Sequence, residues 1–177
     1  MKEAIAEYFR EELAWIRDGD MRKKTVRAWE IALQESEFGP EDLNTLPFTL
    51  FERRGMVSLG VHVKMVTSIA YKAVLEMNRH LPEDLQMDVD EVVCGGLLHD
   101  VGKVLEYSRQ DGRIVKGKKG RLLRHPISGA QIARDAGLSD RIQHMIWVHS
   151  KEGNGQYRTP EAYIVLHSDF MTFDVLE

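Results

Sequence analysis

The stretch GGLLHDVGK at residues 95–103 decides how the rest of the chain is read. It sets a histidine and an aspartate side by side, His99 and Asp100, at the end of an apolar run. That run reads as a helix over about 89–101, capped near Asp88 or Asp90. Gly95 and Gly96 would let a neighbouring helix approach closely. A His-Asp dipeptide occurs by chance in any sequence, so its weight rests on what surrounds it.

Upstream, a long helix is expected over about 56–80. On it His62 shares a face with Met65, Val66, Ile69 and Ala73, the spacing of an inward stripe. Downstream, three helices finish the chain. One runs over about 126–136, opened by Pro126 and closed at Gly137, with His125 just before it. Ser139 caps the next, to about 149, where His149 continues Ile142, Met145 and Ile146. Thr159 and Pro160 start the last, where Asp169 continues Ala162, Val165 and Leu166. Between these groups, over 105–124, the Asp111-Gly112 dipeptide separates two short segments that pair as a β-hairpin. The N-terminal part reads as helices over 2–17, with Ile5, Phe9, Leu13 and Ile16 at helical spacing, and over 21–35. Residues 36–55 are irregular, broken by Gly39-Pro40 and Leu46-Pro47, and serve as a lid or, preferably, a packed connection. The composite is an all-α domain with one small hairpin. It is expected to be a single domain over 1–177, with 1–55 as N-terminal helices and connection and 56–177 as the core that carries the chemistry.

A buried carboxylate or imidazole is costly unless it is paired or holds a metal. Taken singly, each of His62, His149 and Asp169 reads as a satisfied core residue. Taken with His99, Asp100 and His125, they make four imidazoles and two carboxylates, a plausible set for two metal ions that clamp a phosphate. His144 and His167 fall out of helical phase and His80 ends its helix beside Leu81-Pro82, so these three are expected at the surface or behind the ligands. Cys94 is expected to pack as a small apolar residue.

The 177 residues suffice for one sizeable core. The charge-laced N-terminus does not read as a signal peptide, and no apolar run nears the ~20 residues of a membrane span. A lone cysteine excludes an intramolecular disulfide and fits a cytoplasmic setting. A net charge of −4 argues against coating nucleic acid by bulk electrostatics. One asymmetry stands out: RIVKGKKGRLLR at 113–124 carries Arg113, Lys116, Lys118, Lys119, Arg121 and Arg124 with no acid. It reads either as a solvated hairpin tip or as a phosphate-steering edge.

HDVGK at 99–103, with His62 before it and His125, His149 and Asp169 after it, resembles the HD-domain superfamily of metal-dependent phosphohydrolases. That resemblance implies an all-α HD-domain helical bundle. Members with only the outer histidine, the His-Asp pair and the last aspartate hold one metal; those with two further histidines, as His125 and His149 would be, hold two. HDVGKVLEY, GRLLRHPISGA and HSKEGNGQYRTPEAYIVLHSDF look like the HD portion of bacterial 3′→5′ exoribonucleases. The likeness implies one ion on His62, His99, Asp100 and Asp169, and a second on Asp100, as bridge, with His125 and His149. It implies two divalent ions, Fe, Mn, Ni, Co or Mg, and catalytic roles for Asp100 and Lys103. Lys119, Arg121, Arg124, Ser150 and Lys151 would then meet the substrate phosphate, Ser150 standing where related loops have a second histidine. The expected substrate is a small phosphate mono- or diester such as a nucleotide or short oligonucleotide, with no membrane partner. Long nucleic acid is not expected, because the exoribonucleases carry a separate nucleic-acid-binding domain. GLLHDVGKVL also resembles the motif of HD-fold mixed-valent di-iron oxygenases such as inositol oxygenase, which is the alternative function.

Overall fold

The structure is a computed structural model and describes residues 1–51 and 57–176. The chain opens with α1 (Lys2–Tyr8) and α2 (Arg10–Ala14). The continuous helix expected over 2–17 is thus two pieces, because Phe9 leaves helical geometry (φ −105°, ψ 24°). Its ring sits in the core 5.4 Å from that of Trp29, so tertiary packing overrides local propensity at this point. Ile5, Leu13 and Ile16 are buried as their spacing predicts. Between the two helices expected over 2–17 and 21–35, Asp18 accepts from the amides of Asp20 and Met21 and opens α3 (Gly19–Gln34). A 3-10 turn, Pro40–Asn44, follows, and Leu43, Leu46 and Phe48 are fully or almost fully buried. The segment is therefore a packed connection as far as Phe48. Residues 52–55 of the irregular stretch, and the first residue of the helix expected from 56, lie outside the described residues.

Helix α4 (Leu59–His80) begins at Ser58, whose Oγ accepts from Val61 N, and α5 (Val89–Leu98) begins at Asp88, whose carboxylate accepts from Glu91 N. The buried stripe of α4 is His62, Val63, Val66, Thr67, Ala70 and Val74; Met65 and Ile69 are only half-buried, so the inward face is rotated slightly from the one expected. Helix α5 has Val92, Val93, Cys94, Leu97 and Leu98 all at zero exposure, the mark of a helix surrounded on every side. It packs against α3 and α4, and against the later helices α9 (Asp140–Val148) and α10 (Pro160–Asp174). Gly96 permits the approach to α4: a Cβ there would lie 3.0 Å from the Thr67 Cα.

After a turn over 99–102 come α6 (Lys103–Glu106), β1 (Tyr107–Gln110) and β2 (Arg113–Lys116). The strands are antiparallel, with Tyr107 opposite Lys116 and Gln110 opposite Arg113. The turn residues Asp111 (φ 50°) and Gly112 (φ 73°) both take the left-handed conformation that a tight two-residue hairpin loop requires. Next, α7 (Lys118–Leu122) is a short helix where only a hairpin flank was expected. Helix α8 (His125–Asp135) then leads through Gly137 to Ser139, which caps α9. Thr159 caps α10 by accepting from Ala162 N at 3.2 Å. Among the described residues, no helix is long and apolar enough to cross a membrane.

Candidate metal centre

The turn after α5 presents His99 and Asp100 to the interior, at 0% and 1% exposure. The two oxygens of Asp100 face different partners. Oδ2 lies 3.3 Å from His62 Nε2 and 3.5 Å from His99 Nε2. Oδ1 lies 3.3 Å from His125 Nε2 and 3.7 Å from His149 Nε2. Asp169, from α10, closes the first side, its Oδ1 at 3.1 Å from His62 Nε2 and 3.9 Å from His99 Nε2. Two sets of ligand atoms, each mutually within 4.8 Å, result: His62, His99 and Asp100, and Asp100, His125 and His149.

Behind each imidazole, a partner orients the ring. His99 Nδ1 donates to Gly96 O at 2.7 Å and His149 Nδ1 to Ile146 O at 2.6 Å, both among the end carbonyls that a helix leaves free. A carbonyl only accepts, so these rings carry their proton on Nδ1 and turn the Nε2 lone pair inward. His62 Nδ1 meets Thr172 Oγ1 at 3.3 Å, and that hydroxyl spends its own proton on Asp169 O at 2.8 Å. It is therefore left to accept from His62. His125 Nδ1 lies 2.7 Å from Glu106 Oε2.

Lone pairs and carboxylate oxygens thus converge in a place shielded from water. His149 Nε2 is buried with no hydrogen-bond partner among the described residues, an arrangement that suits a cation. The electrostatics agree. Burial pushes the Asp100 carboxyl up, but the Lys103 ammonium 2.6 Å from Oδ2 and the neighbouring His99 outweigh it and hold it well below the usual carboxylate range. Burial acts likewise on Asp169, where the hydrogen bond to His62 and the field of His99 win and bring it to about 2. Burial lowers His125 and Glu106 only partly restores it, so its neutral, ligating form is favoured. For His62 burial is outweighed by Asp100 and Asp169, which raise it, so a metal there would compete with a proton. The donor set fits divalent ions.

A cavity of about 470 Å³ opens beside this cluster. Asp100, Lys103 and Asp169 line its floor, and Phe48, Phe170 and Phe173 give it an aromatic wall. Lys103 Nζ also donates to Phe48 O at 2.5 Å and sits 5.3 Å from the Phe48 ring centre, while that ring stacks on His62 at 4.2 Å. Of the five residues expected to meet substrate, Arg124, Ser150 and Lys151 line the cavity. Lys119 and Arg121 do not: both are exposed on α7, and Lys119 reaches Glu35 at 3.4 Å. Arg124 is itself paired, with Glu106 at 2.5 Å and Glu152 at 2.8 Å. Lys116 lines the cavity although it was not singled out, and neither Glu106 nor Phe48 was anticipated. His80 and His167 are exposed, His144 is half-buried against Trp147 and Tyr157, and Cys94 is buried with its thiol pushed up to about 12 by burial.

Comparison with known proteins comes to the same region. The family profile described as the HD domain matches residues 59–171. Ribonuclease Y of Pseudothermotoga lettingae is 35% identical over 99 residues, which cover 56% of this chain and 17% of that protein. Ribonuclease Y of Thermosipho melanesiensis is 34% identical over 92 residues, 52% of this chain and 15% of the relative. Ribonuclease Y of Chloroflexus aurantiacus is 32% identical over 90 residues, 51% and 15%. The chain therefore spans only a small part of the length of the curated relatives it matches. No solved structure matches.

Proposed function

Since the chain belongs to the HD-domain family, we propose that it is a metal-dependent phosphohydrolase acting on a small phosphate mono- or diester, with two divalent ions side by side. The observation that carries this reading is the division of Asp100, one oxygen toward His62 and His99, the other toward His125 and His149. A bridging carboxylate between two imidazole pairs is the donor pattern of a two-metal site. With four imidazoles, Mn, Fe, Co or Ni suit it better than Mg. Bound ions supply Lewis acidity at phosphoryl oxygens and lower the pKa of water toward neutrality.

The chain's own residues do the rest. Asp100 holds the two sides at a fixed spacing, and Asp169 completes the first. Lys103, at the cavity floor, neutralises phosphate charge from a site largely withdrawn from water. Phe170 and Phe173 offer flat apolar surface to the body of the substrate, which suits a nucleobase, and Arg124, Lys116, Ser150 and Lys151 form the polar rim. The likeness to ribonuclease Y supports a nucleotide or short oligonucleotide as substrate.

The test is metal analysis of the purified chain, followed by a metal-supplemented screen of mononucleotides, cyclic nucleotides, phosphodiesters and short RNA with and without dioxygen. Expected are two ions per chain and release of phosphate or nucleotide that needs metal and not dioxygen. Asp100→Asn abolishes this release, and Arg124→Ala raises KM while Arg121→Ala leaves it unchanged. Oxygen-dependent turnover at a di-iron centre, or full activity in Asp100→Asn, would reject the proposal.

A further inference from the structure

Glu106 ends α6 at 3% exposure, where a carboxylate must be fully partnered. One oxygen, Oε2, accepts from His125 Nδ1 at 2.7 Å. The other accepts from Arg124 Nη1 at 2.5 Å and lies 3.3 Å from Lys116 Nζ. Its backbone is held as well: Gly117 N donates to Glu106 O at 2.8 Å, and Gly120 packs so tightly that a Cβ there would overlap Glu106. The hairpin and α7 thus fix this one residue from both sides.

The other three rings of the centre lean on neutral acceptors, a helix-end carbonyl for His99 and His149 and a hydroxyl for His62. His125 sits at the opposite end of its helix, where amides rather than carbonyls are left free, so its Nδ1–H has no such acceptor at hand. A charged acceptor takes that place. It holds the ring in the Nδ1–H form and makes Nε2, 3.3 Å from Asp100 Oδ1, the more basic ligand. We propose that Glu106 is the positioning residue of the second metal side, fixing the tautomer and angle of His125 and so setting the affinity of the Asp100, His125 and His149 set separately from that of the His62 set. The proposal rests on the two-ion reading above.

The sharpest variant is Glu106→Gln, which keeps the volume but has a single acceptor oxygen. Arg124 and Lys116 claim that oxygen, so the amide NH2 faces His125 Nδ1, which must then accept, and the proton moves to Nε2. Glu106→Leu, with no acceptor at all, is the second variant. The tautomer is read by imidazole ¹H–¹⁵N correlation NMR on the metal-free full chain, and ion binding by Mn²⁺ titration calorimetry. Expected are Nδ1–H at His125 in the wild type and Nε2–H in the Gln variant. One of the two Mn²⁺ ions should weaken by about 10–100-fold while the other binds as in the wild type. Unchanged tautomer and unchanged titration in both variants would overturn the proposal. So would equal loss of both ions with a lowered melting temperature, the pattern of a merely structural residue. A wild-type chain that takes up a single ion removes the two-ion reading instead, and the metal-free tautomer still decides for or against Glu106.

Discussion

Ser150 turns its hydroxyl to Glu152 Oε2 at 2.7 Å rather than to the cluster around Asp100. Glu152 in turn accepts from Arg124 Nε at 2.8 Å. Burial pushes the Glu152 carboxyl up, but the hydrogen bonds from Ser150 and Arg124 outweigh it and bring it to about 2, against an ordinary value of 4.5. A folded-state value below the unfolded one means that the stabilisation is complete above about pH 4.5 and is lost as pH falls toward 2. Melting temperature should therefore drop across that window, and less steeply in Glu152→Gln. Parallel curves for the two proteins would show that the Ser150–Glu152–Arg124 chain contributes nothing to folding. At this scale, sequence showed some residues and hid others. His62, His149 and Asp169 could be placed because each extends an apolar stripe of a long helix, where phase is a direct guide to direction. Glu106 and Phe48 could not, since one ends a four-residue helix and the other lies in an irregular segment, where no period exists to be read. Lys119 and Arg121 were grouped with Arg124 by proximity along the chain, and α7 turns them away from the cavity.

Helix ends were among the most legible features. Asp88, Ser139 and Thr159 each accept from the amide three residues on, as residues of their type do when they precede an apolar run. Less legible was how closely α4 and α5 approach, which matters because His62 lies on one and His99 follows the other. The glycine pair in α5 suggested a close approach, and the structure separates the two positions. A Cβ at Gly96 meets the Thr67 backbone at 3.0 Å, whereas one at Gly95 meets the side chain of Met145. Backbone cannot rotate aside; a methionine side chain can. Alanine gains up to about 1 kcal/mol of helix propensity over glycine at either position. At Gly96 the crowding, typically about 1–3 kcal/mol, should exceed that gain and force the helices apart. Urea unfolding is expected to show Gly96→Ala less stable than the wild type and less stable than Gly95→Ala, with weaker metal binding on the His62 side. The reverse order would mean that backbone contact between α4 and α5 does not set their spacing.

The HD-domain match begins at residue 59, but the hydrophobic core does not. Ile5, Phe9, Trp29 and Phe48 belong to the same buried cluster as Val93, Leu97 and Ile142. Trp29 is fully buried, and its Nε1 donates 3.0 Å to Leu97 O, near the end of α5, where a carbonyl lacks a partner within its own helix. Thr25 meets Cys94 at 3.2 Å one turn earlier along the same interface, and Phe48 covers His62 from the other side. The N-terminal helices therefore support the segment that ends in His99 and Asp100. Trp29→Ala removes the indole's dispersion contacts and leaves Leu97 O unpaired, a loss of about 3–5 kcal/mol for a buried aromatic. Domains of this size hold only about 5–15 kcal/mol in all, so that loss is a large share of the whole. Because Leu97 lies two residues before His99, the damage should reach the ligands: denaturant midpoint and metal affinity should fall together in Trp29→Ala. If the variant unfolds earlier yet binds metal as tightly as the wild type, the N-terminal helices add stability without organising the centre. If neither quantity moves, α3 is an appendage, and the hydrogen bond from Trp29 to Leu97 carries no weight in holding α5.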